Sequence, residues 1–263
     1  MQNYHLHQKI NFIYKNTEYL NLIKIDKKKT LLKININKRF PNFTLNCSVD
    51  IPNGITSIIG PSGSGKTTLL NCISGISQPE TGYISLNSNI LFSSSNKINT
   101  PLNKRRIGYV FQTPTLFPHM NVIQNIRYGY DMTPKTKQRV NLDELIEIFQ
   151  LNNLVKRSTK NLSGGEKQRV DIARSIATSP DLLLMDEPIV SLDIKLKKII
   201  LDYLQLSWTH LQIPVLYVTH FISDAQNLSD KCLVISKGKK LAFGETQDIL
   251  SDKNILSLFN YSD

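Results

Sequence analysis

A loop of eight residues between a short apolar run and a helical pattern decides the fold. The loop reads Gly60, Pro61, Ser62, Gly63, Ser64, Gly65, Lys66 and Thr67, and Thr68 follows it directly. It fits the pattern G-x-x-x-x-G-K-[ST], whose glycines let backbone N–H groups surround phosphate oxygens. The start of the following helix adds the positive end of its dipole to that anion site. We therefore predict that these nine residues bind phosphate, with Lys66 on the outer phosphates, rather than form an ordinary Gly/Ser turn.

The segments on both sides of this loop alternate between strand and helix patterns. The strand-like runs are residues 32–36, 43–49, 55–59, 83–91, 107–111, 182–185, 215–219, 232–235 and 240–243. The helical patterns are residues 69–76, 121–160 and 165–178. Continuous apolar runs such as residues 182–185 are typical of parallel strands that are covered on both faces. Strands that alternate with helices predict an α/β protein.

An acidic pair follows one of the buried strands. Asp186 and Glu187 come directly after the apolar residues 182–185. Phosphoryl transfer depends mainly on positioning and on charge stabilisation, which a metal ion, a lysine and a base can supply. We expect Asp186 and the Thr67 hydroxyl to hold Mg²⁺, and Glu187 to orient or deprotonate the attacking water. The alternative, a strand that ends in solvated acids, is less favoured beside a phosphate-binding loop.

A second anion site is predicted at the start of another helix. The stretch of residues 162–169 reads LSGGEKQR, and Ser163 lies 97 residues after Lys66. Ser163 is a natural N-cap, and two glycines open the helix behind it. The four residues concerned are Ser163, Gly164, Gly165 and Glu166. One γ-phosphate does not need two such sites in one chain, but two chains packed head to tail would use both.

These three motifs, in this order, resemble those of the ATP-binding subunits of ABC transporters, whose signature is the LSGGEKQR stretch. The resemblance extends from about Leu32 to the end of the chain. It implies a P-loop NTPase core of ABC-ATPase type with a β-subdomain and a helical subdomain at about residues 113–169. It also implies ATP and Mg²⁺ as cofactors and a homodimer. Residues 1–32 form an N-terminal extension of unknown role, and residues 33–263 the ATP-binding domain.

The resemblance also assigns residues outside the three motifs. Gln112 matches the glutamine that contacts Mg²⁺ and water and faces the membrane subunit. Asp193 matches the loop that communicates across the dimer, and His220 matches the histidine that holds the γ-phosphate. An aromatic residue upstream of the phosphate loop stacks on adenine in the family, and Phe43, before Phe40, is the candidate here. Catalysis is thus expected from Glu187, His220 and Gln112.

Within the family the chain resembles importers. The run of residues 114–122, PTLFPHMNV, is typical of importers for oxyanions, sugars and metals. Four stretches resemble the ATPase of molybdate importers, namely residues 54–60, 71–75, 105–112 and 213–220. The expected function is therefore ATP hydrolysis that drives molybdate import. Importers of sulfate or iron stay open, and so does a soluble ABC ATPase acting on nucleic acid or ribosomes.

Composition limits the partners and the location. The chain has 263 residues and a net charge of +11, and residues 1–46 carry seven of those charges. The excess of Lys over Arg does not indicate a nucleic-acid surface, so no nucleic acid is expected as partner. There is no apolar run near 18 residues, so no membrane span is expected. Three scattered cysteines fit a reducing compartment.

The resemblance completes the expected setting of the subunit. It places the chain on the cytoplasmic face of the cell membrane as a peripheral subunit. Its partners would be integral-membrane permease subunits and, indirectly, a substrate-binding protein. The chain ends about 43 residues after His220, so the C-terminal oxyanion-binding domain of many molybdate ATPases is expected to be absent. Asp171 stands where the family usually has a small residue.

Overall fold

The computed structural model describes residues 30–189, 194–206, 208 and 211–259. Asp193 and residues 1–29 of the predicted extension lie outside these residues, whereas residues 30–32 of that extension begin the first strand. The described chain divides into two compact units. The strand-rich unit contains residues 30–113, 180–189 and 213–259, and the helical unit contains residues 114–179, 194–206, 208 and 211–212.

The strand-rich unit is built on one mixed sheet. In chain order its strands are β1 (Thr30–Phe40), β2 (Phe43–Pro52), β3 (Ile55–Ile59), β4 (Thr81–Leu86), β5 (Asn89–Ser93), β6 (Ile98–Asn99), β7 (Ile107–Val110), β8 (Leu182–Asp186), β9 (Val215–Val218), β10 (Lys231–Ser236) and β11 (Lys239–Glu245). Their order across the sheet is β6-β5-β4-β1-β2-β11-β10-β3-β9-β8-β7. Strands β10, β3, β9, β8 and β7 are parallel, whereas β2, β1, β4, β5 and β6 are antiparallel neighbours.

Burial explains the two halves of this sheet. Strands β3, β8 and β9 are buried at every position, as expected for parallel strands covered on both faces. Strand β2 instead alternates between buried and exposed residues, so one of its faces meets the core. The turn predicted at Pro41 and Asn42 joins β1 to β2, and the predicted hairpin joins β10 to β11. The predicted run of residues 83–91 is divided by a turn at Asn87 and Ser88 into β4 and β5.

The helices are shorter than the sequence pattern predicts. The α-helices of the described residues are α1 (Lys66–Ser74), α2 (Val122–Met132), α3 (Leu142–Ile148), α4 (Gly164–Ala177), α5 (Ile194–Leu206), α6 (Ile222–Leu228), α7 (Thr246–Ser251) and α8 (Lys253–Leu256). The prediction of helix throughout residues 121–160 is wrong, because only α2 and α3 form there. Pro134 follows closely after Met132, and a helix rarely continues through the residue before a proline. Among the described residues, no helix is both long and apolar enough to cross a membrane.

A buried arginine holds the end of α1. The Arg105 guanidinium is 3% exposed and donates hydrogen bonds to the carbonyl oxygens of Cys72 at 3.1 Å and Ile73 at 2.8 Å. It also donates to Thr100, Leu91 and Asn99. A cation at this end of a helix satisfies last-turn carbonyls and complements the helix dipole. Burial lowers the pKa of Arg105.

In the helical unit, a buried ion pair attaches α4 to the segment that follows residue 113. The Asp171 carboxylate is 0% exposed and accepts a hydrogen bond from Arg174. Arg174 also donates to the Thr115 carbonyl at 2.9 Å, and its guanidinium lies 5.1 Å from the centroid of the Phe117 ring. The Asp171–Arg174 pair therefore fixes residues 115–117 against α4.

Candidate functional site

The phosphate-binding loop joins the end of β3 to α1 in the strand-rich unit. Gly65 is the N-cap of α1 and has φ 107°, a left-handed conformation that favours glycine. Lys66 Nζ donates to the carbonyl oxygens of Gly60 at 2.8 Å and Pro61 at 2.9 Å, so its ammonium lies against the loop itself. Burial lowers the pKa of Lys66, while Glu187 and Asp186 oppose that shift. The loop thus carries a partly desolvated cation at the mouth of a helix N-terminus.

Two residues predicted to hold Mg²⁺ meet beside this loop. The Thr67 hydroxyl donates a hydrogen bond to the buried Asp186 carboxylate at the end of β8. Burial raises the pKa of Asp186, and the Thr67 hydrogen bond and Lys66 act against that shift. Hydroxyl, carboxylate and amide oxygens are the hard donors that suit Mg²⁺, so Thr67, Asp186 and Gln112 fit this ion. Within the described part of the chain, no group of three or more His, Cys, Asp or Glu side chains could hold a metal alone.

Two of the three predicted catalytic side chains meet at one carboxylate oxygen of the third. Gln112 Nε2 donates to Glu187 Oε2 at 3.3 Å, and His220 Nδ1 lies 3.3 Å from the same oxygen. Strand order brings them together, because Gln112 follows β7, Glu187 follows β8 and His220 lies just beyond β9. The carboxyl ends of neighbouring parallel strands meet at one edge of a sheet, where open α/β sheets bind ligands.

Glu187 has an unusual backbone geometry. Its φ is 49°, in the left-handed region that side chains other than glycine rarely adopt. Its backbone N–H donates to the Val218 carbonyl at 3.1 Å, which ties the residue to the end of β9. Such strained positions persist only where the surrounding structure holds them, and they cluster at functional sites. The carboxylate is therefore aimed by its backbone as well as by Gln112 and His220.

A hydrogen-bonded group that the sequence analysis missed supports the His220 segment. Thr219 Oγ1 donates to Asp224 Oδ2 at 3.3 Å and accepts from the Phe221 N–H at 3.0 Å. Tyr217 Oη lies 3.5 Å from the same Asp224 oxygen, and burial raises the pKa of Tyr217. The available signal was an acidic residue in the first turn of the helix that follows His220. This group fixes the backbone on both sides of His220.

The two candidate aromatic residues have different surroundings. Phe40 is 40% exposed at the end of β1, and its ring centroid lies 6.0 Å from that of Phe43. Lys38 Nζ lies 5.2 Å from the Phe40 ring centroid. Phe43 is partly buried against the main hydrophobic core. Phe40 is therefore the more exposed of the two rings.

The predicted second anion site forms a regular helix start in the helical unit. Ser163 caps α4, whose first residues are Gly164 and Gly165. Its side chain accepts from the Glu166 N–H at 3.3 Å, and its own N–H donates to Glu166 Oε2 at 2.7 Å. This capping box lowers the pKa of Glu166, chiefly through the Ser163 backbone hydrogen bond. A methyl group at Gly164 would meet no atom within 4 Å, so this end of the helix is open.

The family of the chain follows from comparison with known protein families. Residues 44–190, which run from β2 through both phosphate motifs, match the model of the ABC transporter family. The chain belongs to the ABC transporter family. Members of this ABC family bind ATP, which agrees with the phosphate-binding loop and the residues around it.

Curated relatives of this ABC protein include the molybdenum import ATP-binding proteins ModC. The chain is 40% identical to ModC of Photobacterium profundum over 219 residues, which cover 83% of the chain and 60% of the relative. It is 42% identical to ModC of Escherichia coli strain UTI89 over 221 residues, which cover 83% of the chain and 61% of the relative. The chain spans about three-fifths of the length of these relatives.

Solved structures confirm the predicted fold class. The chain is similar to cbiO1 from Clostridium perfringens, part of an ABC transporter complex, with a TM-score of 0.70, 26% identity, and coverage of 89% of this chain and 96% of that one. It is also similar to an ATP-binding cassette of an ABC transporter in its ADP conformation. For that cassette the TM-score is 0.72, the identity 27%, and the coverage 89% of this chain and 100% of the other. The α/β core of ABC-ATPase type is therefore the fold of this protein.

Proposed function

We propose that this protein is the ATP-hydrolysing subunit of an ABC importer, with molybdate as the imported ion. The observation that carries the catalytic part is the meeting of Gln112 and His220 at one oxygen of Glu187. The names of the ModC relatives support the importer and the ion, because they are described as molybdenum import proteins. The imported ion meets other subunits, so this part rests on relatedness rather than on chemistry.

The residues around the loop supply a route for hydrolysis. The Lys66 ammonium and the backbone N–H groups of residues 60–68, except Pro61, which has none, bind the phosphates of ATP. To reach them, Lys66 gives up its hydrogen bonds to the Gly60 and Pro61 carbonyls. Thr67, Asp186 and Gln112 would hold Mg²⁺, which would supply positive charge to neutralise the phosphate oxygens. Glu187 accepts a proton from the attacking water, and His220 holds the γ-phosphate. General-base catalysis of this kind contributes about 10²–10⁴-fold.

Base binding is assigned to Phe40 ahead of Phe43. The sequence pattern favoured Phe43, but Phe40 is the more exposed of the two rings. Stacking of a base on such a ring needs an open π-face. Phe40 is therefore the residue whose truncation should weaken the binding of adenine.

The active site is completed by a second copy of the chain. In a head-to-tail homodimer, the ATP held by Lys66 of one chain would be faced by Ser163, Gly164, Gly165 and Glu166 of the other. Asp193 is assigned a role in communication between the chains by the family resemblance alone. A solved ABC cassette that is 26% identical, with a TM-score of 0.68, was described as a dimer in a post-hydrolysis state bound to ADP and Pi. The open start of α4 supports this role.

The membrane partner is a permease that binds on residues 112–121 and the neighbouring face of α2. A groove of about 690 Å³ is lined by His119, Met120, Ile123, Gln124, Arg127, Tyr128, Asp131 and Met132. Met132 is 73% exposed there, and an exposed apolar surface of this kind suits a protein partner. The subunit would thus lie peripherally on the cytoplasmic face, driven by a loaded substrate-binding protein through the permease.

The test is ATPase activity in membranes that contain the permease and binding protein encoded beside this subunit. Molybdate, and tungstate of similar size and charge, should stimulate hydrolysis, whereas sulfate, a smaller dianion, should stimulate poorly. Stimulation by sulfate or ferric iron without molybdate would overturn the assigned ion and leave the importer. Stimulation by RNA or DNA alone would instead favour a soluble ABC ATPase.

A further inference from the structure

We propose that Phe43 and Gly238 are positioning residues that hold the phosphate-binding loop in shape, so that they act on phosphate binding and not on the adenine base. This inference rests on the proposed function, because it takes the loop to bind the phosphates of ATP. It is carried by contacts that β2 and the β10–β11 turn make with Ser64 and Gly65 at the end of the loop.

The Phe43 ring is wedged by its outer edge against the loop. A methyl group at Gly65 would lie 2.6 Å from Phe43 Cζ and 3.4 Å from Cε1, so the ring already fills the space beside this N-cap. On its other side, a methyl group at Gly238 would lie 2.9 Å from Phe43 Cε2. The ring thus occupies the gap between two glycines, one in the loop and one in the hairpin turn. A ring held in this way supports the backbone of Gly65.

Gly238 joins the loop to the sheet through its backbone. Its N–H donates to the Ser64 carbonyl at 2.9 Å, and its carbonyl accepts from the Asn46 N–H of β2 at 2.7 Å. Its φ is 75°, in a two-residue hairpin turn whose other residue, Lys237, has φ 47°. A methyl group at Gly238 would lie 2.0 Å from the Thr44 carbonyl oxygen. Only glycine therefore allows the turn to approach β2 and the loop together.

These contacts act where the phosphate-binding amides are aimed. Ser64 and Gly65 directly precede Lys66 and Thr67, and Gly65 accepts the first hydrogen bond of α1, from the Leu69 N–H at 2.9 Å. A tilt of the Ser64–Gly65 peptide would turn the N–H groups away from a common phosphate oxygen. Phe43 and Gly238 act on the phosphate-binding loop and not on the adenine base. Their loss should therefore lower the affinity for ATP and for a bare polyphosphate by the same factor.

The experiment measures the affinity of the full chain for Mg-ATP and for inorganic tripolyphosphate with Mg²⁺ by titration calorimetry. Binding of both by the wild-type chain tests the proposed function itself, and its absence would refute that function first. For Phe43→Leu we expect both affinities to fall about tenfold. For Phe40→Leu we expect a fall for ATP alone. A loss of ATP affinity in Phe43→Leu with tripolyphosphate unchanged would make Phe43 a base contact and overturn the proposal.

Two glycine substitutions on the β10–β11 hairpin provide a second, independent test of the proposal. Gly238→Ala should weaken tripolyphosphate at least tenfold, whereas Gly244→Ala on the same hairpin should leave it unchanged. A methyl group at Gly244 meets only Ile249, at an ordinary 3.7 Å. Circular dichroism establishes whether each variant is folded. If Gly238→Ala does not fold, the result for Phe43→Leu alone tests the proposal. Wild-type tripolyphosphate affinity in a folded Phe43→Leu or Gly238→Ala would overturn the proposal.

Discussion

Glu187 Oε2 lies 3.3 Å from His220 Nδ1, although 33 residues separate the two along the chain. The imidazole can therefore orient the proposed base, and the hydrogen bond between Thr219 and Asp224 holds the neighbouring backbone. We expect His220→Ala to reduce the ATPase rate by about 10²-fold or more and to leave Mg-ADP affinity nearly unchanged. Steady-state hydrolysis and ADP titration measure the two effects. An equal loss of ADP affinity would mean that His220 shapes the site instead of acting on the γ-phosphate.

Two adjacent arginines, Arg105 and Arg106, allow a controlled test of how much the hydrogen bonds at the end of α1 stabilise the fold. Arg105→Lys cannot satisfy the carbonyls of Cys72, Ile73, Thr100 and Leu91 together, and each buried acceptor left without a donor costs about 1–3 kcal/mol. We expect its free energy of unfolding in urea to fall by about 3 kcal/mol. The control, Arg106→Lys, alters a half-exposed ion pair with Asp181 and should cost less than about 1 kcal/mol. Equal costs would contradict the proposed role of Arg105.

Asp171 should make the helical unit less stable as pH rises, whereas most carboxylates in folded proteins have the opposite effect. Burial raises its pKa from 3.8 to about 6, although Arg174 and the Thr115 amide oppose the shift. The folded state therefore binds the proton more tightly than the unfolded chain, and this residue's contribution becomes less favourable as pH rises from about 4 to about 6. Asp171 Oδ2 has no hydrogen-bond partner among the described residues, which agrees with that cost.

The matching variant is Asp171→Asn. The unfolding free energy of the wild type minus that of the variant should fall by about 2 kcal/mol between pH 4 and pH 6.5. Urea titrations at a series of pH values measure the difference, in which the other carboxylates cancel. A difference that is flat, or that grows with pH, would show that Asp171 is ionised and stabilised in the fold.

The proposed head-to-tail site predicts complementation between two dead variants. Lys66→Ala removes the phosphate lysine, and Ser163→Arg blocks the start of α4. In a mixed dimer both lesions fall in one composite site and the other site is intact. Random mixing should therefore restore up to about a quarter of the wild-type ATPase sites. No recovery, with subunit exchange demonstrated by tagged chains, would place both motifs in a site made by one chain.

Local sequence patterns were sufficient to predict the motifs, but they could not predict which residues contact the motifs in the folded chain. The loop before α1, the two acids at the end of β8 and the β10–β11 hairpin follow from short-range rules, and the structure has each element where the sequence pattern predicts it. The contact of Gln112 with Glu187 depends on β7 lying beside β8, an ordering that the sequence reveals only through the family resemblance. The wedge of Phe43 between Gly65 and Gly238 joins segments from β2, the loop and a distant turn. No local pattern distinguishes such a ring from a base-stacking one.

The most direct test of the central claim is the ATPase rate of Glu187→Gln. Removal of the base should lower kcat by about 10²–10⁴-fold, while the phosphate loop keeps its affinity for ATP. The variant should also accumulate as an ATP-bound dimer in size-exclusion chromatography. Glu245→Gln, which changes an exposed carboxylate paired with Lys231, is the control and should hydrolyse ATP like the wild type. Near-normal hydrolysis by Glu187→Gln would contradict the account.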